Sequence, residues 1–273
     1  MEIATLDIES GCSLASLLED VTKCIAEDAE IGEACTIGNQ VVIEANVRMG
    51  DRVVIGDGCF IGEGSRIGDD SWIGQRVTLR EHSWVGDRVR IESGAVLGSD
   101  GFGFAQRADG TQFKIPQVGI VEIGDDCQIG PRATIDRATL GKTRLGEGVN
   151  VGPLVMVGHN VLIGDRSCLE ALSGVSGSTK IGQGVHIGSH AGLVGHLRVE
   201  EGCTIEACTG VTKSLAKNTH LRGVFPAMPP EQFEEQQRLI HRLPDLAEQL
   251  EDMEKVTAVA VIEQAHQSLP PNP

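Results

Sequence analysis

Aliphatic residues recur at every sixth position along most of the chain. From Ile25 they run through Ile31, Ile37, Ile43, Met49, Ile55, Ile61, Ile67, Ile73, Leu79, Val85 and Ile91 to Leu97. A second run goes from Leu145 through Val151, Val157, Ile163, Leu169, Val175, Ile181, Ile187, Leu193, Val199 and Ile205 to Val211, and Ile123, Ile129 and Ile135 stand between the two. An α-helix repeats near 3.6 and a half-buried strand near 2, so a strict period of six with Gly often following marks hexapeptide repeats wound into a parallel β-helix. Three hexads make one coil of about eighteen residues, so residues eighteen apart stack on each other. The hexads amount to about nine coils, a prism roughly 40 Å long at about 4.8 Å per strand. Two positions before each aliphatic residue the side chain is mostly small, as at Cys35, Cys59, Ser65, Cys127 and Cys203. A narrow triangular interior takes one large and one small side chain per side. The Gly after the aliphatic residue is expected to permit the corner through a positive φ. Periodicity leaves the hand of the coil open.

Two excursions break the phase, at 98–121 and 136–144. A regular solenoid offers flat faces, so ejected loops are where pockets form. The first loop carries three of the six Phe residues, Phe102, Phe104 and Phe113, which makes it the expected wall of an apolar cleft. The predicted organisation is a short leader at 1–24, a prism at 25–222, a helical extension at 223–264 and a disordered tail at 265–273. In the extension Leu239, Leu243, Leu246, Leu250 and Met253 recur at alternating spacings of four and three, a coiled-coil or bundle seam. Pro244 sits inside that seam, so two helical pieces with a break near Leu243 are expected. A seam beside an open-ended solenoid argues for a homo-oligomer; the alternative is a helix folded back on its own prism.

Composition narrows the partners. The 273 residues include 35 Gly and no Tyr, and the net charge is −16, which disfavours nucleic acid and anionic membrane. Lys213, Lys217, His220, Arg222, Arg238, His241 and Arg242 nevertheless gather towards the C-terminus, as a dock for an acidic partner or as a solvated face. The first ten residues are acidic and no apolar run reaches membrane-spanning length, so neither a signal peptide nor stable membrane insertion is expected and the cytoplasm is the default location. The eight Cys show no paired CxxC, and packing accounts for them better than disulfides or zinc. Gly141-Lys142-Thr143 fails as a phosphate loop because Asp136 stands where the first Gly is required.

The repeat serves as a ruler for chemistry. His159 lies two residues after Val157 and His196 three after Leu193, on one side of the prism and two coils apart, about 10 Å. Gly177 lies eighteen residues beyond His159, between the two levels, where a backbone N–H stands without a side chain in the way. A base, an oxyanion donor and a second polar group form a minimal set for acyl transfer to an amine or alcohol. The competing reading makes both His residues surface polar groups at turns. His186, His190 and His196 fall on different corners, so no metal is expected, and no cofactor is implied.

Gly98-Ser-Asp-Gly-Phe-Gly-Phe-Ala105, Lys114-Ile-Pro-Gln117, Thr134-Ile-Asp-Arg137, Gly158-His159-Asn160-Val161, Gly195-His196-Leu197, Gly223 and Pro226-Ala-Met-Pro229 together resemble the UDP-3-O-(3-hydroxyacyl)glucosamine N-acyltransferase (LpxD) family of lipid A synthesis. The resemblance spans roughly residues 25 to 255. It implies an all-β solenoid, a left-handed parallel β-helix with C-terminal α-helices, assembled as a homotrimer. It implies that His159 is the general base, that Gly177 N–H holds the oxyanion and that His196 contacts substrate or the pantetheine arm. Acyl carrier protein is the implied donor, an acidic partner for the basic C-terminal residues, and a nucleotide sugar or amino sugar is the implied acceptor. Two departures stand out. Family members grip uridine with aromatics in a domain ahead of the prism, whereas Met1 to Lys23 holds no Tyr, Phe or Trp. The family's Asp-Asn-x-x-Gln-Ile-Ala-His-Asn is here Gly152-Pro-Leu-Val-Met-Val-Gly-His-Asn160, which makes that wall apolar and leaves the acceptor open. An acetyl-CoA-dependent nucleotide-amino-sugar N-acetyltransferase and a non-catalytic binding scaffold are the alternatives on the same fold.

Overall fold

A computed structural model describes residues 23–223 and 227–267, with side chains as far as Met253. Met1–Val224 and Phe225–Pro273 form two compact units.

In the first unit nearly every hexad contributes one strand of two residues, and the strands stack in register into three parallel sheets of ten, nine and ten strands. Ile43 pairs with Ile61, Ile61 with Leu79 and Leu79 with Leu97, one coil apart each time. The same holds on the second face for Met49 and Ile67 and on the third for Ile55 and Ile73. The architecture is a left-handed parallel β-helix. The repeating aliphatic residues fill its axis: Ile43, Ile61, Leu79, Leu97, Ile135 and Leu169 are all buried. The coil count exceeds the nine expected. His220–Leu221 adds a strand to the third face and Leu215 bridges Val199 on the second. A shortened corner after Val211 moves these residues out of phase, which is why the strict period misses them.

The small inward residues have a polar task as well as a steric one. Cys59, Cys127 and Cys203 are buried, and their Sγ atoms donate to the carbonyls of Gly74, Gly146 and Ala216 at 2.9, 3.0 and 3.0 Å. Ser71 and Ser167 do the same to Gly86 and Gly182, both at 2.9 Å. Burial pushes the Cys127 thiol up to about 11, so it stays protonated at neutral pH.

The Gly following each aliphatic residue does not supply the corner's positive φ. That conformation falls two residues later, mostly on non-glycine residues such as Asn46 (57°), Arg52 (57°) and Asp70 (57°). What requires Gly is close approach of the next coil: a Cβ on Gly56 would lie 2.7 Å from Gln75 N and 2.8 Å from Gly74 C. Backbone atoms held in the ladder cannot give way. Gly56→Ala is therefore expected to cost about 1–2 kcal/mol by overpacking, read as a lower urea midpoint at unchanged m-value.

Across the first excursion the prism resumes in register, with Val85 paired to Ile123 and Leu97 to Ile135. The ejected loop holds an antiparallel hairpin of Phe104–Gln106 and Gln112–Lys114. After the second excursion Lys142–Leu145 rejoins beside Ile120–Ile123.

The second unit is one α-helix, Pro230–Gln267. Pro at the first helical position and Glu231 in the first turn suit a helix start. The break expected near Leu243 is absent: the helix runs through Pro244. A proline in a helix interior removes one backbone hydrogen bond, and here the remaining turns on both sides carry the helix on. Leu239, Leu243, Leu246, Leu250 and Met253 form an exposed stripe on it. Ala265–Gln267, placed in the expected tail, are helical; the rest of that tail, and the leader before Lys23, lie outside the described residues.

Candidate active site

His159 and Gly177 occupy equivalent positions on successive coils, at the edge between the first and second faces, and the structure brings them into contact. A Cβ on Gly177 would meet the imidazole at 2.5 Å from Nε2 and 2.8 Å from Cδ2 and Cε1. From the loop, Gly101 lies so close that a Cβ there would stand 2.6 Å from His159 Cβ. The imidazole thus lies between two glycines, one from the prism and one from the ejected loop. Lys114 holds the loop by donating to the Gly101 carbonyl.

Asn160 selects the ring's tautomer. Its Nδ2 donates to Leu140 O at 2.8 Å and its Oδ1 accepts from Thr139 N at 2.9 Å, which settles the amide's orientation. Oδ1 also lies 3.2 Å from His159 Nδ1, so Nδ1 carries the proton and donates, leaving the Nε2 lone pair free. Thr139 is held in turn by donating from Oγ1 to Gln117 Oε1 at 2.9 Å. Gln117, from the ejected loop, thereby reaches the ring through two residues.

The imidazole opens onto a cleft of about 580 Å³ along the first face. Met156, Gly174 and Gly192 line it, with Phe102 and Val194 at its sides. Gly174 and Gly192 have no atom within 4 Å of where a Cβ would be, so the groove stays open above them. Of the three loop Phe residues only Phe102 lines the cleft; Phe104 packs edge-on against it at 5.2 Å, and Phe113 lies under Arg107. Met156, one of the residues that depart from the family string, is part of the wall.

The Gly177 amide is unengaged among the described residues. Elsewhere the same corner amide is taken by a carboxylate one coil on, as Asp51 N is by Asp69 Oδ1 and Glu147 N by Asp165 Oδ1. One coil beyond Gly177 stands Gly195, which has no side chain to accept. His196 is one residue past that column. Its backbone N–H donates to Gly177 O at 3.1 Å, its φ is 63°, and its side chain is exposed and not part of the cleft lining.

Asp136 was not singled out as a site residue by spacing, yet it is buried at the base of the cleft and accepts from Ser99 Oγ at 2.8 Å. A bulge between Leu97 and Ser99 makes that pairing. Burial raises its carboxyl pKa above the usual range, opposed by the Ser99 hydroxyl and the charge of Lys114. An acid whose folded-state pKa is raised destabilises the fold as pH climbs from the unfolded value through the folded one. Asp136→Asn should therefore melt with the wild type below about pH 3.8 and increasingly above it as pH rises to neutrality, measured by thermal denaturation across pH.

Among the described residues no group of three His, Cys, Asp or Glu could hold a metal. His186 is bonded instead to Glu170 at 3.0 Å. No helix among the described residues is long and apolar enough to cross a membrane. Much of the basic C-terminal set is matched within its own unit: Lys217 pairs with Glu201, His220 and Arg222 with Glu206, and Arg238 with Glu235.

Comparison with known proteins places these features in context. A family model described as the GMPPB C-terminal domain matches residues 20–101. The UDP-3-O-acylglucosamine N-acyltransferase of Chlorobium chlorochromatii is 59% identical over 87 residues, 32% of this chain and 24% of that protein. The protein of the same name from Coxiella burnetii is 54% identical over 87 residues, 32% of this chain and 25% of that protein. The matched stretch thus spans about a quarter of the length of these relatives. Among solved structures, the UDP-N-acetylglucosamine O-acyltransferase (LpxA) of Moraxella catarrhalis superposes with a TM-score of 0.60 at 21% identity, covering 85% of this chain and 93% of that one. LpxA of Bacteroides fragilis gives 0.54 at 24% identity, over 72% and 68%; both show a common fold. The resemblance read from the sequence is borne out: over 87 residues the chain is a homologue of proteins named UDP-3-O-acylglucosamine N-acyltransferase, on a prism shared with LpxA.

Proposed function

We propose that the chain is an N-acyltransferase of the lipid A type. It transfers a 3-hydroxyacyl group from acyl carrier protein to the 2-amino group of a UDP-3-O-acylglucosamine-like acceptor. The observation that carries this reading is the His159 imidazole, held as the Nδ1–H tautomer by Asn160 with Nε2 free beside an unengaged Gly177 amide. Nε2 takes a proton from the amine as its nitrogen attacks the thioester carbonyl carbon. The C–N bond forms, and the carbonyl oxygen becomes an oxyanion that the Gly177 N–H stabilises. Collapse of the tetrahedral intermediate breaks the C–S bond, and the imidazolium returns its proton to the leaving thiolate. The apolar groove along Met156, Gly174 and Gly192 accommodates an acyl chain. His196, outside the groove of a single chain, meets substrate only at its outer end.

The working assembly is a homotrimer in the cytoplasm, and the exposed stripe Leu239–Leu243–Leu246–Leu250–Met253 is the seam that bundles the C-terminal helices. The test is acyl transfer from 3-hydroxyacyl carrier protein to UDP-3-O-acylglucosamine by the full chain. Turnover with the carrier thioester supports the reading. Turnover with acetyl-CoA alone selects the acetyltransferase, and no turnover with either donor leaves the non-catalytic scaffold.

A further inference from the structure

We infer that the edge between the third and first faces carries a second ligand site, one that takes a carbohydrate bearing two phosphate groups. Arg76 and Arg132 line a cavity of about 490 Å³ there, together with Gln40, Asp57, Gln75 and Ser93. None of these residues lines the His159 cleft.

The corresponding arginines on another edge set the comparison. Between the second and third faces, Arg52 and Arg88 sit at corner positions with φ of 57° and 54°. Each forms a two-pronged pair with an aspartate one coil on, Arg52 with Asp70 and Arg88 with Asp126. Over those four coils that edge alternates Arg and Asp and neutralises itself; further along it Arg166 lies over Gly148 without such an aspartate. Arg76 and Arg132 hold the same kind of corner, with φ of 54° and 57°. Their column alternates with Gly instead: a Cβ on Gly58 would meet Arg76 Cγ at 3.4 Å, and one on Gly94 would meet Arg132 Cγ at 3.4 Å. Each arginine stem lies back over a glycine of the preceding coil, and neither guanidinium has a carboxylate or other partner among the described residues. On a chain of net charge −16, two unpaired guanidinium groups facing one cavity are an electrostatic exception. A planar fork of donors is the group best suited to phosphate.

The spacing and the groups between them specify the rest. The strands leading to the two corners are two ladder steps apart, Trp72 to Arg90 to Gln128, which puts the arginines about 10 Å apart. That is too far for one phosphate and suits one at each end of a sugar ring. Between them Ser93 donates to Gln75 Oε1 at 2.7 Å, which leaves the Gln75 amide nitrogen free to donate. Asp57 stands one coil before Arg76, at that end of the pair; it uses Oδ1 to accept from Asn39 N and keeps its other oxygen for a donor. A carboxylate repels a simple anion but accepts from hydroxyls. Two cations with a carboxamide between them and a carboxylate at the Arg76 end therefore match two phosphates joined through a polyol rather than bare phosphate.

Isothermal titration of the full chain at low salt with glucose 1,6-bisphosphate, glucose 1-phosphate and inorganic phosphate tests this. The bisphosphate should bind at least tenfold more tightly than the monophosphate, as expected for one added charge-assisted contact, and inorganic phosphate more weakly still. Arg76→Gln and Arg132→Gln, both at exposed positions, should each bring the bisphosphate down to monophosphate affinity. Asp57→Asn should weaken both sugar phosphates and leave inorganic phosphate unaffected or tighter. His159→Ala should bind as the wild type does, so the outcome is separate from that of the acyl-transfer assay. Absence of binding, equal affinity for the bisphosphate and the monophosphate, or binding unchanged in Arg76→Gln and Arg132→Gln would overturn the assignment.

Discussion

His159→Ala is expected to lower acyl transfer about 10²–10⁴-fold, the range for loss of a positioned general base, while leaving the melting temperature close to that of the wild type. The side chain is only half-buried and contributes nothing to the aliphatic axis, so stability has little to lose. Gly177→Ala is the sharper companion. Its φ lies outside the left-handed region, so alanine fits the backbone. The new methyl, however, would stand 2.5 Å from His159 Nε2. The ring must turn away, giving up its bond to Asn160 and its place at the cleft, although the Gly177 N–H survives. A loss in kcat of at least about 10²-fold with unchanged circular dichroism and melting is expected. Full activity in Gly177→Ala would show that the ring position is immaterial, and full activity in His159→Ala would remove the base altogether.

Glu81→Ala should produce the largest loss of stability among single polar substitutions. Arg137 leaves only 7% of its side chain exposed, and its Nη1 bonds Glu81 Oε1 at 2.6 Å while Nη2 bonds the Glu81 carbonyl at 2.6 Å. Arg137 Nε is already buried without a partner. Removing the carboxylate leaves a buried guanidinium uncompensated, a change that costs 3–5 kcal/mol in a fully buried pair. Glu81 keeps 33% of its side chain in water, so about 2–3 kcal/mol is expected here. The pH dependence has a definite sign. Burial pushes the Glu81 carboxyl up, but hydrogen bonding from Arg80 and the charge of Arg137 outweigh it and hold the pKa below 4.5. A depressed acid contributes stability that is present above its unfolded pKa and lost as pH falls through the folded one. Wild type should therefore lose stability in acid faster than Glu81→Ala, and the two urea midpoints should converge as pH falls below 4.5 through the depressed folded-state value.

The prism was legible because stacking forces one aliphatic residue per side, and a six-residue period has no other common structural reading. His159 and Gly177 were legible for the same reason, since both fall in one column of that ruler. His196 shows the limit: three residues past its aliphatic rather than two, it belongs to the neighbouring column with Asn160 and Ser178, and a side chain one position off faces elsewhere. The groups that hold the imidazole were illegible as partners. Thr139 and Gln117 come from the two excursions, where the phase is lost, and contacts such as Glu81 with Arg137, 56 residues apart, arise only once the chain has re-entered the coil. The recurrent Gly is legible for its freedom but not for its need, which comes from the backbone of the next coil above it. Pro244 looks like a break to local chemistry, which counts a lost hydrogen bond and not the length of helix on either side.

The ladder of two-residue strands has a further consequence. Each coil is bonded only to the one before and the one after it, so the molecule should open like a zip from its ends and not like a melting globule. Amide exchange would then form a gradient, fastest near Ile25 and Ile31, which are partly exposed, and slowest around Leu97 and Ile135. Under tension the chain should lengthen in equal increments, one coil at a time, with a longer step where the loop of 98–121 is released.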